Sequence, residues 1–199
     1  MKELMLGNKA FARGLYEAGC CVVSSYPGTP STEVTEEAAK FDEMYCEWAP
    51  NEKVACEAAL GAAIAGARAF TCCKHVGLNV MADPVFTSSY TGINGGFVIC
   101  VADDPGMHSS QNEQDSRFYG NFAMIPVMEP SNQQEAYDMA SYGFELSERL
   151  STPVLFRFTT RLSHSRANIK TGKIREQNPV NPPATTDIHL PPLFSADFI

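Results

Sequence analysis

Short apolar runs alternate along this chain with longer stretches of helical periodicity, and this alternation restricts the fold more than any other feature. The apolar runs, each predicted to be a strand, occupy 20–25, 45–48, 69–73, 96–102, 126–128 and 153–158. The predicted helices occupy 8–19, 31–44, 52–68, 76–90 with a kink at Pro84, and 131–149. Strands that are apolar along their whole length are typical of a parallel sheet buried on both faces. The pattern therefore predicts a three-layer α/β/α sandwich with a mostly parallel sheet.

The composition changes near residue 165. Residues 1–165 carry the alternation, and a chain of 199 residues is long enough for one domain with its own core. Five prolines and little periodicity mark the stretch from Thr171 to Leu193. We therefore expect one α/β domain over 1–165, followed by a Pro-rich linker or tail over 166–199.

The charge and cysteine content exclude several classes of function. A formal net charge of -8 is unfavourable for binding nucleic acid, which requires clustered Lys and Arg. We expect no membrane segment and no signal peptide, and hence a cytoplasmic protein. The seven cysteines lie mostly in apolar runs and form no C-x-x-C pair. They are predicted to be reduced, buried thiols, and no metal site is predicted.

Four polar features follow predicted strands and should meet at one edge of the sheet. Right-handed crossovers place the carboxyl ends of parallel strands along a common edge, where open α/β sheets bind ligands. The features are the turn 26–30, Asn51-Glu52, Lys74-His75 and the polar stretch 103–123. A polar connection of that length is often functional, although solvated turns are the default interpretation.

The turn Tyr26-Pro27-Gly28-Thr29-Pro30 is rigid. Its two prolines restrict φ, whereas Gly28 adopts conformations closed to other residues. Such a turn can present backbone groups and the Thr29 hydroxyl to a ligand at the start of the next helix. The alternative is a plain connection between a strand and a helix.

Glu52 lies in the first turn of the helix that Asn51 is predicted to cap. The ordinary role of a carboxylate there is to interact with the helix dipole. The Ala- and Gly-rich helix that follows, however, is expected to be buried and central. Desolvation would then favour a neutral carboxylic acid, which can donate a proton to a ring nitrogen.

Three cationic or ionisable side chains lie near this edge, and two of them have two interpretations each. Arg117 is a candidate for bidentate recognition of a carboxylate, or else part of a surface ion pair. His75 is a candidate base, or else a polar residue at the edge of the sheet. Lys74 is the residue before His75 and is expected at the same edge of the sheet.

Taken together, these segments resemble a known family. Residues 25–33 resemble the opening motif of the thiamine-diphosphate-dependent 2-oxoacid:ferredoxin oxidoreductases. Residues 51–71, 74–83 and 102–117 are similar to the indolepyruvate-type α subunits of that family. The resemblance covers about residues 5–165, and it implies the pyrimidine-binding domain fold.

The resemblance implies roles for individual residues. Glu52 matches the family's activating glutamate, which hydrogen-bonds N1′ of the aminopyrimidine ring and promotes loss of the C2 proton of the cofactor. The other cofactor-binding positions that it implies are Tyr26, Pro27 and Gly28. The implied substrate-binding positions are Thr29, Lys74, His75 and Arg117.

The same resemblance implies that this chain is incomplete as an enzyme and inactive alone. It lacks the Gly-Asp-Gly motif of the domain that binds the diphosphate and Mg²⁺, and the cysteine clusters that bind [4Fe-4S] centres. We expect these on other domains, together with a second subunit or homodimer, ferredoxin and coenzyme A as partners. The alternatives are one subunit of a two-chain thiamine-dependent 2-oxoacid decarboxylase, or a non-catalytic assembly module of the same fold.

Overall fold

The computed structural model describes residues 2–172, which form two sheets and eight helices. The strands are β1 (Lys2–Leu6), β2 (Val22–Ser25), β3 (Tyr45–Trp48), β4 (Ala69–Lys74), β5 (Phe97–Asp103), β6 (Val127–Met128), β7 (Val154–Thr159) and β8 (Arg166–Lys170). The helices are α1 (Gly7–Glu17), α2 (Thr32–Ala38), α3 (Glu52–Ile64), α4 (His75–Val80), α5 (Ala82–Thr91), α6 (Arg117–Ala123), α7 (Gln133–Leu150) and α8 (Thr160–His164).

The main sheet has six parallel strands in the order β3-β2-β4-β5-β7-β6. Neighbouring residues of its central strands belong to different hydrophobic clusters. Phe70 and Cys72 of β4 pack with α1 and α7, whereas Ala69 and Cys73 pack with α3 and α5. Because successive side chains of a strand point to opposite faces, helices cover both faces of the sheet. The predicted three-layer α/β/α sandwich is confirmed.

Aromatic packing fixes α1 on its face of the sheet. The ring of Phe11 lies 5.8 Å from Phe70, 5.0 Å from Phe156 and 4.7 Å from Phe158, measured between ring centroids. All four side chains are fully buried. Aromatic contacts of this kind add to the free energy gained from burying their apolar area.

A two-stranded antiparallel ribbon, β1 with β8, lies beside the main sheet. Its buried residues Met5 and Ile169 pack with Ala10 of α1. The linker or tail was expected to begin at residue 166, but Arg166–Lys170 is a paired strand. Most side chains of both ribbon strands are exposed, and neither strand was predicted from the sequence. The rest of the expected tail, 173–199, lies outside the described residues.

Several helices differ from their predicted bounds. The helix expected over 31–44 is only α2, and the one expected over 52–68 ends at Ile64. The stretch 76–90 is divided at Met81 into α4 and α5 rather than kinked at Pro84. Pro84 occupies the first turn of α5, where its missing N–H has no helical acceptor to lose. The polar stretch 103–123 contains α6.

Capping residues were predicted with mixed success. Asn51 caps α3 as predicted, since its side chain accepts the N–H of Val54. Ser131 and Gln134 have the spacing of a capping box, and the sequence predicts one there. Helix α7 is instead capped by Asn132, which accepts the N–H of Glu135. The carboxylate of Glu135 accepts from the N–H and hydroxyl of Ser131, the residue before the cap, so the reciprocal bond of a capping box reaches one residue further back.

The cysteines behave as predicted. All seven lie in the described residues without a disulfide, and five of them are buried. Burial raises the pKa of Cys20, Cys73 and Cys100 well above the ordinary range, which keeps these thiols protonated. Within residues 2–172, no cluster of His, Cys, Asp and Glu could hold a metal ion. Within the same residues, no helix is both long enough and apolar enough to cross a membrane.

Candidate active site

The carboxyl ends of four neighbouring strands bring the predicted features together. The turn 26–30 follows β2, Glu52 follows β3, Lys74 ends β4 and the polar stretch follows β5. Close approaches join them directly: a Cβ at Gly28 would lie 3.3 Å from Cγ of Lys74, and one at Gly77 would lie 2.5 Å from Oε1 of Glu52.

A buried asparagine fixes the turn 26–30 through a hydrogen bond. Asn8 begins the helix predicted over 8–19, and its residue type predicts a helix cap. Its side chain is instead fully buried and donates to the carbonyl of Pro30, at 2.7 Å, and to Glu33. Within the turn region, the N–H of Gly28 donates to the Thr32 hydroxyl, and the Ser31 hydroxyl donates to the Gly28 carbonyl. These bonds fix the backbone and leave Tyr26 and Thr29 exposed.

A buried polar cluster also joins the two sides of the turn to β4. The Thr35 hydroxyl of α2 donates to Ser25 Oγ at 2.9 Å, and Ser25 Oγ accepts the N–H of Cys72 at 3.3 Å. The Cys72 Sγ lies 3.4 Å from both hydroxyl oxygens. All three side chains are buried, so their hydrogen bonds fix the relative positions of β2, α2 and β4.

Glu52 is the first residue of α3, and its side chain is partly exposed. Its carboxylate lies against the backbone of Gly77 in α4. Among residues 2–172 it makes no hydrogen bond and no ion pair. Because it has no partner among these residues, the carboxyl group of Glu52 is free to form a hydrogen bond with a ligand at the edge of the sheet.

Helix α3 is half-exposed in this chain, contrary to the expected buried central helix. One face packs on the sheet through Ala55, Cys56, Ala59, Leu60 and Ala63. The opposite face is exposed, and it carries Val54, Ala58, Gly61, Ile64 and Ala65. The sequence indicated small residues suited to close packing, but it could not show that half of them face away from this domain.

Lys74 and His75 both contact the polar loop 104–116. The Lys74 ammonium donates to the carbonyl of Ser109 at 3.0 Å, while its methylene groups lie on Gly28. His75 is 1% exposed, and its Nε2 is 3.1 Å from Asn112 Oδ1. Lys74 therefore lies between the turn 26–30 and the loop, whereas the His75 ring is covered by it. Their predicted contacts with substrate stay predictions.

Arg117 is in an ion pair, the second of its two predicted roles. Its guanidinium donates to both carboxylate oxygens of Asp115, at 2.6, 2.8 and 3.1 Å, and lies 3.8 Å from Glu129. The hydrogen bonds from Arg117 lower the pKa of Asp115 to about 2. The charge of Arg117 is thus offset in this chain, and its role in binding substrate stays a prediction.

A buried ion pair behind this loop was missed by the sequence reasoning. Arg157 Nε donates to Asp103 Oδ2 at 2.7 Å, with Asp103 fully buried and Arg157 8% exposed. Arg157 also bonds to Glu129. A signal was present, because Arg157 is the one charged residue in the apolar run 153–158, and such residues need a buried partner.

The residues present fit an aminopyrimidine ring. Binding such a ring requires a carboxyl group that can form a hydrogen bond with one ring nitrogen. It also requires a backbone surface without a side chain next to that carboxyl group. Glu52 supplies the first, and Gly77 the second, since any Cβ at that position would occupy the space next to the carboxylate.

Comparison with known proteins identifies the fold and the family. Residues 13–188 match the family of the thiamine-diphosphate-binding region of pyruvate flavodoxin/ferredoxin oxidoreductases. The indolepyruvate oxidoreductase subunit IorA of Archaeoglobus fulgidus is 51% identical over 184 residues, covering 88% of this chain and 29% of that protein. The IorA of Thermococcus kodakarensis is 53% identical over 179 residues, covering 88% and 28%.

A solved structure agrees with the fold. The 2-oxoglutarate:ferredoxin oxidoreductase of Magnetococcus marinus, determined with 2-oxoglutarate, coenzyme A and succinyl-CoA bound, superposes with a TM-score of 0.77 at 22% identity. The match covers 86% of this chain and 32% of that one. The chain thus spans less than a third of the length of the IorA proteins it matches. It belongs to the pyruvate flavodoxin/ferredoxin oxidoreductase family, of which it is a thiamine-diphosphate-binding domain.

Proposed function

We propose that this chain forms the half of an active site that binds the aminopyrimidine ring of thiamine diphosphate in a 2-oxoacid:ferredoxin oxidoreductase, with indolepyruvate or another arylpyruvate as substrate. The observation that carries the proposal is the carboxylate of Glu52, which has no partner among residues 2–172 and lies beside the bare backbone of Gly77. The identity to IorA proteins supports the choice of substrate.

Glu52 is the catalytic residue in this proposal. When bound, thiamine diphosphate supplies the carbon nucleophile and the electron sink for decarboxylation of a 2-oxoacid. Glu52 in its neutral form donates a hydrogen bond to N1′ of the pyrimidine ring. A second polypeptide surface over the exposed face of α3 would exclude water from Glu52 and so strengthen that hydrogen bond. Tyr26, Pro27 and Gly28, which follow β2, would help to hold the ring.

Thr29 and Lys74 face the substrate in this proposal. The Thr29 hydroxyl is exposed at the tip of the turn, so it can donate a hydrogen bond to a 2-oxoacid carboxylate. Lys74 lies directly beside the turn and adds a positive charge. Because Arg117 pairs with Asp115 and His75 with Asn112, we propose that both reach the substrate only when loop 104–116 rearranges.

The remaining parts of the enzyme are proposed to lie on other polypeptide. They comprise a domain for the diphosphate and Mg²⁺, a domain with [4Fe-4S] clusters, a second subunit that makes the assembly a dimer, and ferredoxin and coenzyme A as partners in the cytoplasm. The exposed small-residue face of α3 supports a covering domain. So do the exposed apolar side chains of α6 and its C-cap, Phe118, Phe122 and Met124.

Turnover by the isolated chain and by a complete protein containing it tests the proposal. We expect the complete protein, supplied with thiamine diphosphate, Mg²⁺ and coenzyme A, to oxidise indolepyruvate and reduce ferredoxin, and the isolated chain to do neither. Decarboxylation without reduction of ferredoxin would instead indicate a two-chain decarboxylase. Turnover by the isolated chain would contradict the proposal that this chain forms only half of the active site. Absence of thiamine diphosphate binding by the complete protein would indicate a non-catalytic assembly module.

A further inference from the structure

A cavity of about 570 Å³ lies at the same carboxyl edge of the sheet as Glu52, but beside β7 and β6, on the other side of the strand order from β3. It is bordered by the carboxyl ends of β6 and β7, the start of α7, helix α8 and the start of β8. Four charged residues line it: Glu129, Arg157, Arg161 and Arg166. None of the four is among the residues that the proposed function uses.

The lining is positive although the chain is strongly acidic. Three guanidinium groups face one carboxylate in the cavity, whereas the chain as a whole carries a formal net charge of -8. The carboxylate of Glu129 is bonded to Arg157 and lies 3.8 Å from Arg117, so its charge is already offset. The excess of positive charge therefore falls on Arg161 and Arg166.

Arg161 and Arg166 have no acidic partner among residues 2–172. Both are exposed, and neither guanidinium forms a hydrogen bond or an ion pair within that part of the chain. Arg157, in contrast, is nearly buried and committed to Asp103 and Glu129. An anion in the cavity would be attracted by both of these unpaired guanidinium groups.

The rest of the lining is polar and suited to an oxyanion. Ser131, Gln133 and Ser165 border the cavity. The two hydroxyl groups donate to Glu135 and to the carbonyl of Arg161, whereas the Gln133 amide, which donates to Ser165, has a second N–H that can donate to a ligand. The positive end of the α7 dipole adds to the field. A second cavity of about 420 Å³, which shares Arg161 and Thr159 with the first, extends towards Pro105 and His108. Arg161 therefore lies between two adjoining cavities.

We propose that the larger cavity binds a doubly charged oxyanion group, a phosphate or a dicarboxylate, through Arg161 and Arg166. The planar guanidinium group matches such oxygens with two parallel N–H donors. Arg157 fixes Glu129 at the border of the site without taking part in binding. The site is independent of Glu52 and of thiamine diphosphate.

Titration of the 199-residue chain with three probes tests this site. Inorganic phosphate, pyrophosphate and malonate are added at constant ionic strength, and the Nε–H signals of Arg161 and Arg166 are followed by NMR. We expect saturable shifts with at least one probe. Saturation by the phosphates alone assigns a phosphate ligand, and saturation by malonate alone assigns a dicarboxylate.

The variants Arg161→Gln and Arg166→Gln should each weaken binding by about tenfold, as expected for the loss of one charge-assisted contact. Arg149→Gln is the matched control, because it removes an exposed arginine at the far end of α7 and should leave binding unchanged. An equal loss in all three variants would show general charge attraction and overturn the proposal. So would the absence of a saturable shift with every probe. Unchanged thermal melting of the variants excludes loss of folding.

Discussion

The carboxylate of Glu52 and the backbone of Gly77 are in direct contact, although they belong to different helices. A Cβ at position 77 would lie 2.5 Å from Oε1 and 2.8 Å from Cγ of Glu52, closer than such atoms approach in folded proteins. It would also lie 2.9 Å from Cβ of Cys73. Only glycine therefore allows Glu52 to occupy its observed position.

Gly77→Ala should displace the Glu52 side chain and lower the free energy of unfolding by about 1–3 kcal/mol, as overpacking does. Urea unfolding of the 199-residue chain measures this. Gly61→Ala is the matched control, since Gly61 is also helical but a Cβ there meets nothing within 4 Å. That change should stabilise the chain by up to about 1 kcal/mol. Equal effects of the two changes would mean that position 77 is not restricted by Glu52.

Thr35→Val should destabilise the chain because it removes the hydroxyl that donates to Ser25 and leaves buried polar atoms without a partner. We expect a loss of about 1–3 kcal/mol in the free energy of unfolding. Thr29→Val is the control: its hydroxyl is exposed, so stability should change by less than about 0.5 kcal/mol. In the complete enzyme, the KM for the 2-oxoacid should nevertheless rise in Thr29→Val. Equal destabilisation by the two variants would contradict the buried cluster.

Ile169→Ala tests whether β8 belongs to the folded domain. Ile169 is fully buried against Met5 and Ala10, so its truncation should lower the free energy of unfolding by about 2–4 kcal/mol. Leu4→Ala on the partner strand is the control, because Leu4 is 58% exposed. If the two variants unfolded at the same urea concentration, residues 166–170 would behave as a tail.

The acid stability of the chain should depend on Asp104. Burial raises the pKa of this carboxyl, but hydrogen bonds from the Thr160 hydroxyl and the Ser109 N–H outweigh burial and lower the pKa to about 2. An unfolded Asp has a pKa of about 3.9, so the unfolded chain binds the proton first. The contribution of Asp104 is therefore fully present above about pH 4 and is lost as the pH falls towards 2.

Asp104→Asn should remove this pH-dependent contribution. In urea unfolding between about pH 2 and pH 5, the free energy of the variant should rise less steeply with pH than that of the wild type. The difference between the two proteins should be largest at the upper end of this range. Identical slopes would show that Asp104 titrates alike in the folded and unfolded chains.

Much of the fold could be predicted from the sequence, because its signals are local. Strands that are apolar along their whole length indicate burial on both faces of the sheet. All six strands of the main sheet begin and end within two residues of their predicted bounds. The cap at Asn51 was also local, since its acceptor contacts the N–H three residues on. The common edge followed from topology alone, because the carboxyl ends of parallel strands meet there.

The features that were missed depend on distant partners. Asparagine is a residue type that often caps helices, so the sequence alone indicates that role for Asn8. Only tertiary folding brings its side chain to the carbonyl of Pro30, 22 residues away. Asp103 and Arg157 are 54 residues apart. The ribbon of β1 and β8 forms only when two strands 160 residues apart pair, and most of its side chains are exposed. The exposed face of α3 resembles a buried one because many of its residues are small.

Exchange of the C2 proton of thiamine diphosphate tests the central claim most directly. It is measured on the complete protein, by rapid quench in deuterium oxide, for the wild type and for Glu52→Gln. We predict that the variant folds normally and binds the cofactor, but exchanges the proton about 10²–10⁴-fold more slowly, the range expected for loss of one acid–base group. An exchange rate within about twofold of the wild type would contradict the assignment of Glu52 as the catalytic residue. It would also contradict the proposal that this chain forms the pyrimidine-binding half of the active site.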